Sequence, residues 1–512
     1  MKTKIILLLI TLFNFQLLLA QPSIQWQKSL GGILDEDSFS IAKTNDGGSI
    51  VVGTSTSSDC DLTQNKGFED IWVVKLSSTG TIQWQKNYGG SDVDEGNCII
   101  QTSDGGYAIS GASNSSDADV TGNHQGSDMW VLKLNSTGVI QWQKSLGGTG
   151  NDMGHSILQN TDGSFVVAGF HDSYDGDVTV NQGMGDMWIV KLSSTGALVW
   201  QKSIGGTEGD IAKCIVNTSD GGYVVVGQTF SNTIDVSGNH GGSDVWVVKL
   251  NSTGNIQWQK ALGGSNDDEG SSVSLGTDGG IYIAGIVDSN NGNVTGYLGN
   301  YDYWVVKLNS TGVLQWQYTL GGSFYDRAFG IIGTSDGGCV VTGSSQSTNG
   351  DLDLSNDFNG NYWLVKLNNA GVIQWKKTMG GSDFEVARSI TQTAEGGYLV
   401  TGFSYSNDGN VTGNHGNKDY WVVKLSSENL DISGFEKGSI RVYPNPVKDE
   451  LQVMNDLERF SNYRILDISG KVLLEGQFNV DFIDVSSLSK GIYFIEMYDF
   501  NQFSGAEKFV KE

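Results

Sequence analysis

The 512 residues include 71 glycines, 18 tyrosines, 20 phenylalanines and 14 tryptophans but only 3 prolines, which suits a turn-rich β protein and excludes a helical bundle or a disordered chain. Residues 439–512 hold 8 basic and 12 acidic side chains and residues 1–20 two lysines, so of the total charge of −26 a net −24 falls on residues 21–438. Such a surface repels nucleic acid and anionic membranes and attracts cations or basic partners.

In chain order, residues 1–20 come first. "MKTKIILLLITLFNFQLLLA" has two lysines, an apolar run and a small residue, Ala20, at its end, the form of a removed secretory signal. No later stretch is long and apolar enough to cross a membrane, so no span is expected after signal removal. The four cysteines are too few for a disulfide framework in so long a chain. Cys98 and Cys214 each lie 14 residues after a repeated tryptophan, and buried free thiols are the expectation.

From residue 21 to 430 the chain repeats itself. A "W-Q-K" tryptophan recurs at 26, 84, 142, 200, 258, 316 and 375, and a second, in "D-x-W-V-V-K-L", at 72, 130, 188, 246, 304, 363 and 421. The period is 58, slipping once to 59, over seven copies. Each copy holds four strand-like runs, such as "EGNCIIQTS", "GYAISGAS", "DMWVLKL" and "VIQWQKSL". The first two join through "DGG" and the last two through "NSTG", hairpin turns in which Gly supplies positive φ. Four strands per repeat predict propeller blades. The chain opens with an orphan fourth strand, Ile24 to Leu30, and its last repeat stops after a third strand, Asp419 to Leu425. Pairing the two closes the ring and removes an exposed edge. The fold expected is all-β: a seven-bladed β-propeller closed by an N-terminal strand, with the "W-Q-K" tryptophan packed between blades.

"WQKSLGG…DGGYVVVG" resembles the SBBP-type propeller repeats of secreted bacterial proteins, a resemblance that implies fold and hardly any function. After a linker at 431–438, residues 439–512 form a second unit. "VYPNPVKDELQV", "YRILDISGKVLLEG" and "FIDVSSLSKGIYFIEM", ending "EKFVKE", resemble the type A C-terminal sorting domain of the type IX secretion system of Bacteroidota. Read from its residues, this stretch is alternating strands with Gly turns, a small β-sandwich. The resemblance implies recognition by the type IX machinery and release from, or attachment to, the outer-membrane surface.

Acidic residues gather on the face carrying the fourth-to-first and second-to-third strand loops. One series, Glu36, Asp94, Asp152, Asp210, Asp268, Asp326 and Glu385, precedes each first strand. It is read as carboxylates fixing their loops by accepting backbone N–H bonds, with a cation-attracting ring as the alternative. In the second-to-third loops, Asp117, Asp119, Thr121 and Asp128, and again Asp408, Asn410, Thr412 and Asp419, repeat the oxygen spacing of a calcium loop. Bound Ca²⁺ in at least one loop is the one cofactor considered, with polar turns whose final Asp caps the third strand as the alternative. The last ligand, however, is Asp instead of Glu and the flanks are strands. His124, His240 and His415 share one loop position in separate repeats, too far apart for a transition-metal site, and are read as surface decoration.

A catalytic or binding constellation needs symmetry broken. The position 13 residues after each "W-Q-K" tryptophan reads Phe39, Asn97, His155, Lys213, Ser271, Phe329 and Arg388 between uniform neighbours. The propeller's two arginines, Arg327 and Arg388, lie in this region of adjacent blades, and His155, Lys213, Arg327 and Arg388 are the candidate ligand-binding residues. A drifting solvent-facing position is the plain alternative. No catalytic motif stands out. The leading function is a secreted or surface-displayed binding module for glycan, protein or a surface ligand, with near-identical blades offering multivalent contacts. The alternative is an extracellular polysaccharide hydrolase or lyase with its site at the channel mouth.

Overall fold

Each hairpin turn puts a glycine where only glycine sits without strain: Gly105 of one "DGG" has φ +80° and Gly138 of one "NSTG" has φ +74°. Antiparallel four-stranded sheets follow. One runs Asp94–Gln101, Tyr107–Ser113, Asp128–Leu134 and Ile140–Leu146 in that spatial order. The computed structural model describes residues 21–62, 64–352, 359–428, 440–455, 462–467, 471–477, 482–499 and 502–512. The expected signal (1–20), the linker (431–438) and residues 353–358 of the sixth repeat lie outside them. The chain separates into two compact units, Met1–Glu428 and Asn429–Glu512.

Among the described residues the first unit holds seven four-stranded sheets, numbered here as blades from the one that starts at Glu36. The seventh is completed by Ile24–Leu30, which pairs antiparallel with Asp419–Leu425, Leu30 opposite Tyr420 and Lys28 opposite Val422. First strands touch first strands of both neighbouring blades around a full circle, Glu385–Gln392 meeting Glu36–Lys43, so these strands line the axis. Neighbouring blades cover both faces of the middle strands. Every residue of Tyr107–Ser113 and Asp128–Leu134 is buried, which is why they read as continuous apolar runs.

The two tryptophan series divide the work. Third-strand tryptophans such as Trp130 are fully buried, and Trp130 Nε1 donates to Gln143 Oε1 of its own "W-Q-K" at 2.7 Å. Fourth-strand tryptophans are half-buried except Trp375, which is buried, and several donate to the "NSTG"-type turn of the next blade, Trp26 to Ser78 O at 3.1 Å and Trp142 to Ser194 O at 3.2 Å. A Cβ on Gly138 would come within 2.9 Å of the Trp84 ring. The "W-Q-K" tryptophan thus packs from blade to blade.

A further device repeats in the third strands. Lys133 is buried, and its Nζ donates to Asp104 Oδ2 (2.9 Å) of the "DGG" turn, Leu134 O (2.9 Å) and Gln141 Oε1 (2.9 Å). Burial raises the Asp104 pKa, but the bonds from Thr102, Lys133 and the Gly106 N–H outweigh it and hold it near 2. Lys75 and Lys366 make the same clamp on Asp46 and Asp336.

The second unit is two sheets. One has the order Ile440–Tyr443, Glu450–Asn455, Phe482–Asp484, the other Val472–Gln477, Asn462–Asp467, Gly491–Asp499, Gln502–Lys511. Leu451 and Ile483 of the first meet Ile465, Ile495 and Phe509 of the second in one buried core.

Candidate functional site

The acidic loops first satisfy the backbone. Between blades one and two, four successive amides each meet a side-chain oxygen. Gly89 N donates to Asp119 Oδ2 (3.3 Å), Gly90 N to Asp94 Oδ2 (2.7 Å), Ser91 N to Asp117 Oδ1 (2.7 Å) and Asp92 N to Ser115 Oγ (3.0 Å). Blade seven repeats this, Gly380 N to Asn410 Oδ1 (3.3 Å), Gly381 N to Glu385 (2.9 Å) and Ser382 N to Asp408 (2.7 Å). Thr121 and Thr412 instead receive the amides of Gln143 and Gln27. Asp128 and Asp419 turn back to their own loops, accepting from His124 N (3.1 Å) and His415 N (3.0 Å).

Each of the eight expected calcium ligands thus already accepts a hydrogen bond from the protein. Alternate oxygens suit a calcium loop and equally suit consecutive amides of a neighbouring loop, and here they take the second role. Among the described residues no group of three or more His, Cys, Asp or Glu side chains is placed to hold a metal ion. Thr63, at the equivalent place in the first repeat's loop, lies outside the described residues.

The first-series acids begin the first strands and are buried, each accepting the N–H of the second glycine of its "GG". They are loop-fixing groups, as expected. Each also faces the residue that starts the third strand of the preceding blade, an acid in six junctions and Asn361 in one, giving the pairs Asp70/Asp94, Asp128/Asp152, Asp186/Asp210, Asp244/Asp268, Asp302/Asp326, Asn361/Glu385 and Asp419/Glu36. Both members flank the first glycine: a Cβ on Gly89 would lie 2.2 Å from Asp70 Oδ1 and 2.5 Å from Asp94 Oδ2. The three common-position histidines belong here too. His124 Nδ1 lies 2.8 Å from Asp128 Oδ2 and His415 Nδ1 2.7 Å from Asp419 Oδ2, with Asp177 and Asp61 of the next blades at 4.0 Å from the other ring nitrogens. Their reading as decoration is corrected: all three sit over buried carboxylates, His240 Nδ1 2.6 Å from Asp244 Oδ2, and His124 and His415 also reach the next blade.

The variable position is a structural one. In every first strand the pairing slips by one residue, between Ser38 and Ser40, Gly96 and Cys98, Gly154 and Ser156, and so on around the ring. Phe39, Asn97, His155, Lys213, Ser271, Phe329 and Arg388 are the seven bulged residues, all half-buried. A bulge re-aims its side chain, and these reach the neighbouring blade. Asn97 Nδ2 donates to Gly154 O (3.2 Å), and His155 Nδ1 lies 2.7 Å from Ala212 O. They are not freely drifting surface residues.

The four candidate ligand residues fall into two places. His155 and Lys213 occupy adjacent bulges. Burial, then the Lys213 charge, lowers the His155 pKa to about 4, and burial lowers that of Lys213 against the opposing pull of Glu269. Arg388, at the seventh bulge, has its guanidinium 4.9 Å from the Phe329 ring centroid, 5.5 Å from Phe39 and 5.7 Å from Phe403. Its NH2 group is 3.4 Å from Asp37 Oδ2, an oxygen also 3.4 Å from Lys418 Nζ, and its buried Nε has no hydrogen-bond partner. Arg327, two residues before Phe329, is exposed and lies over the stacked rings of Tyr301 (5.0 Å) and Tyr325 (5.5 Å). The aromatic partners Tyr301, Tyr325 and Phe403, which sequence reasoning missed, stand outside the bulge register, in loops and on a second strand.

Comparison with known proteins matches residues 441–512 to the secretion system C-terminal sorting domain. A regulatory protein, FlaEY, of Caulobacter vibrioides is 26% identical over 156 residues, covering 28% of this chain and 16% of that protein's length. The Neurospora crassa Pan2 WD40 domain superposes with a TM-score of 0.44 at 11% identity, over 79% of this chain and 96% of that one. A polysaccharide lyase, an ulvan lyase, gives 0.44 at 12% identity over 80% and 95%. Among the described residues no helix is long and apolar enough to cross a membrane. The chain is a β-propeller that ends in a type IX secretion sorting domain.

Proposed function

We propose that this protein works as an extracellular binding module whose ligand is anionic and docks at the axial mouth around Arg388, beside Arg327. The sorting tail directs export to the cell surface or the medium. Arg388 carries the reading: its guanidinium is held over Phe329, Phe39 and Phe403, its contact with Asp37 is long, and Nε is unpartnered. A fixed guanidinium on aromatic faces, with a second over a tyrosine pair, suits carboxylate- or sulfate-bearing sugars, whose rings stack and whose charges pair. The test is retention of the purified protein on acidic polysaccharides against neutral ones, with Arg388→Ala and Arg388→Lys alongside. Binding to acidic chains that Arg388→Ala weakens by roughly 10-fold or more supports the reading. Equal retention of all three proteins removes it.

The second reading is a lyase or hydrolase in the channel. The observation favouring it is the pair His155 and Lys213, adjacent bulges both held toward their neutral, proton-accepting forms. Release of new chain ends from a bound polysaccharide, abolished by His155→Gln, would establish it.

A further inference from the structure

The blade junctions carry a feature that ligand binding does not use. In six of the seven, the acid opening the third strand is fully buried and keeps its Oδ1 without a hydrogen-bond partner: Asp70, Asp128, Asp186, Asp244, Asp302 and Asp419. That orphan oxygen points at the first glycine of the "GG", across which sits the buried acid of the next blade's first strand. A buried oxygen with no donor, facing a second carboxylate, has one cheap remedy: a proton.

We propose that the ring of junctions is a proton-sharing seam, so that mild acidification tightens the propeller by neutralising one member of these inter-blade acid pairs. The seventh junction supplies the neutral form ready-made. There Asn361 replaces the aspartate, 5% exposed, facing Glu385 across Gly380. A neutral side chain fits this place without altering the pairing of its strand.

Charges around the seam differ between junctions. At Asp302 the neighbours are Asp326 of the next first strand and Asp351 of the next loop, and the side chain accepts the Leu298 N–H. Two buried or partly buried phenols, Tyr297 and Tyr303, stay protonated beside this pair. Leu298 stands where other blades place Lys66, His124 or His415, so no cation from that loop position faces Asp302. Burial, with the Asp326 charge, lifts its pKa to about 7. At Asp70 the Lys66 charge opposes Asp94 and Asp119, and at Asp419 the His415 bonds oppose Glu36; burial still raises both to about 6.

The sign follows from linkage. These carboxyls bind protons more tightly folded than unfolded, so the stability they confer is full at low pH and is lost as pH rises from about 4 toward 7.

The experiment is thermal unfolding of the full chain at pH 5.5 and pH 8, with Asp302→Asn, which copies the Asn361 junction, Asp70→Asn as a second junction, and Glu208→Gln as an exposed-charge control. The midpoint is expected to be several degrees higher at pH 5.5. Asp302→Asn should raise it at both pH values, more at pH 8 than at pH 5.5, and so narrow the gap by about 1–2 °C, which the control should not do. A midpoint that is flat or falls on acidification overturns the proposal, as does an Asp302→Asn no more stable than wild type at pH 8. A midpoint at pH 8 raised by millimolar Ca²⁺ but not by acid would assign the orphan oxygens to a metal and overturn it as well.

Discussion

Lys133→Met isolates one of the hairpin clamps. The methionine keeps the buried stem and removes the ammonium, which donates to Asp104, Leu134 O and Gln141. Leu134 O and Gln141 lose a charged donor, each such bond contributing about 1.5–3 kcal/mol. Breaking a fully buried ion pair costs about 3–5 kcal/mol. The Asp104 side chain, however, is 53% exposed and regains water, so its ionic part shrinks to the ~1 kcal/mol of a surface pair. At the low end of these ranges this sums to about 4 kcal/mol. For a propeller of roughly 400 residues, with an unfolding entropy near 2.1 cal/mol/K per residue, this lowers Tm by about 5 °C if the unit unfolds as one. Urea denaturation of wild type and variant at pH 7 measures it. Because Asp104 is held near 2, the clamp is intact above about pH 4 and is lost as pH falls from there toward 2. A loss under about 0.5 kcal/mol at pH 7, or one that is undiminished at pH 2.5, would refute the clamp.

Further outcomes follow from the same geometry. Gly138→Ala, at φ +74° and with its Cβ 2.9 Å from Trp84, should cost about 2 kcal/mol or more in urea unfolding, since the left-handed conformation alone costs about 1–2. Asp117→Ala frees the Ser91 amide and Asp119→Ala the Gly89 amide. Each should cost about 1 kcal/mol, equally in EDTA and in millimolar Ca²⁺. A loss seen only with Ca²⁺ present would restore the calcium-loop reading. Removing residues 21–30 exposes the Asp419–Leu425 edge, and the truncated chain should associate in light scattering where the intact chain does not.

Much of the architecture is legible because it is local and repeated. Two tryptophan series, the "DGG" and "NSTG" turns and the phase of the first strand specify sheets, register and the pairing of Ile24–Leu30 with Asp419–Leu425. The site was less legible, for three physical reasons. Asp117 and Asp119 sit at alternate positions whether they bind a cation or cap Ser91 and Gly89, and one chain carries no signal separating the two. The bulge at Phe39 or Arg388 is a backbone event; its trace is a variable residue between uniform ones, which also describes an unconstrained surface. Contacts between blades, such as Arg388 over Phe329 or His415 near Asp61, join residues 59 and 354 apart; packing of adjacent blades brings the first together and closure of the ring the second. The Lys133–Asp104 clamp could have been found, since a lysine inside every third strand follows a turn acid 29 residues earlier, or 30 for Lys366 and Asp336, with Glu395 in place of Asp before Lys424.

The central claim is that an anionic ligand is held at Arg388. The most direct measurement is the structure of the protein with an acidic oligosaccharide that it retains. The account predicts a carboxylate or sulfate within hydrogen-bond distance of Arg388 Nε, with a sugar ring near Tyr301 and Tyr325. An oligosaccharide bound on the "DGG" and "NSTG" face, with Arg388 Nε still unpartnered, would contradict it.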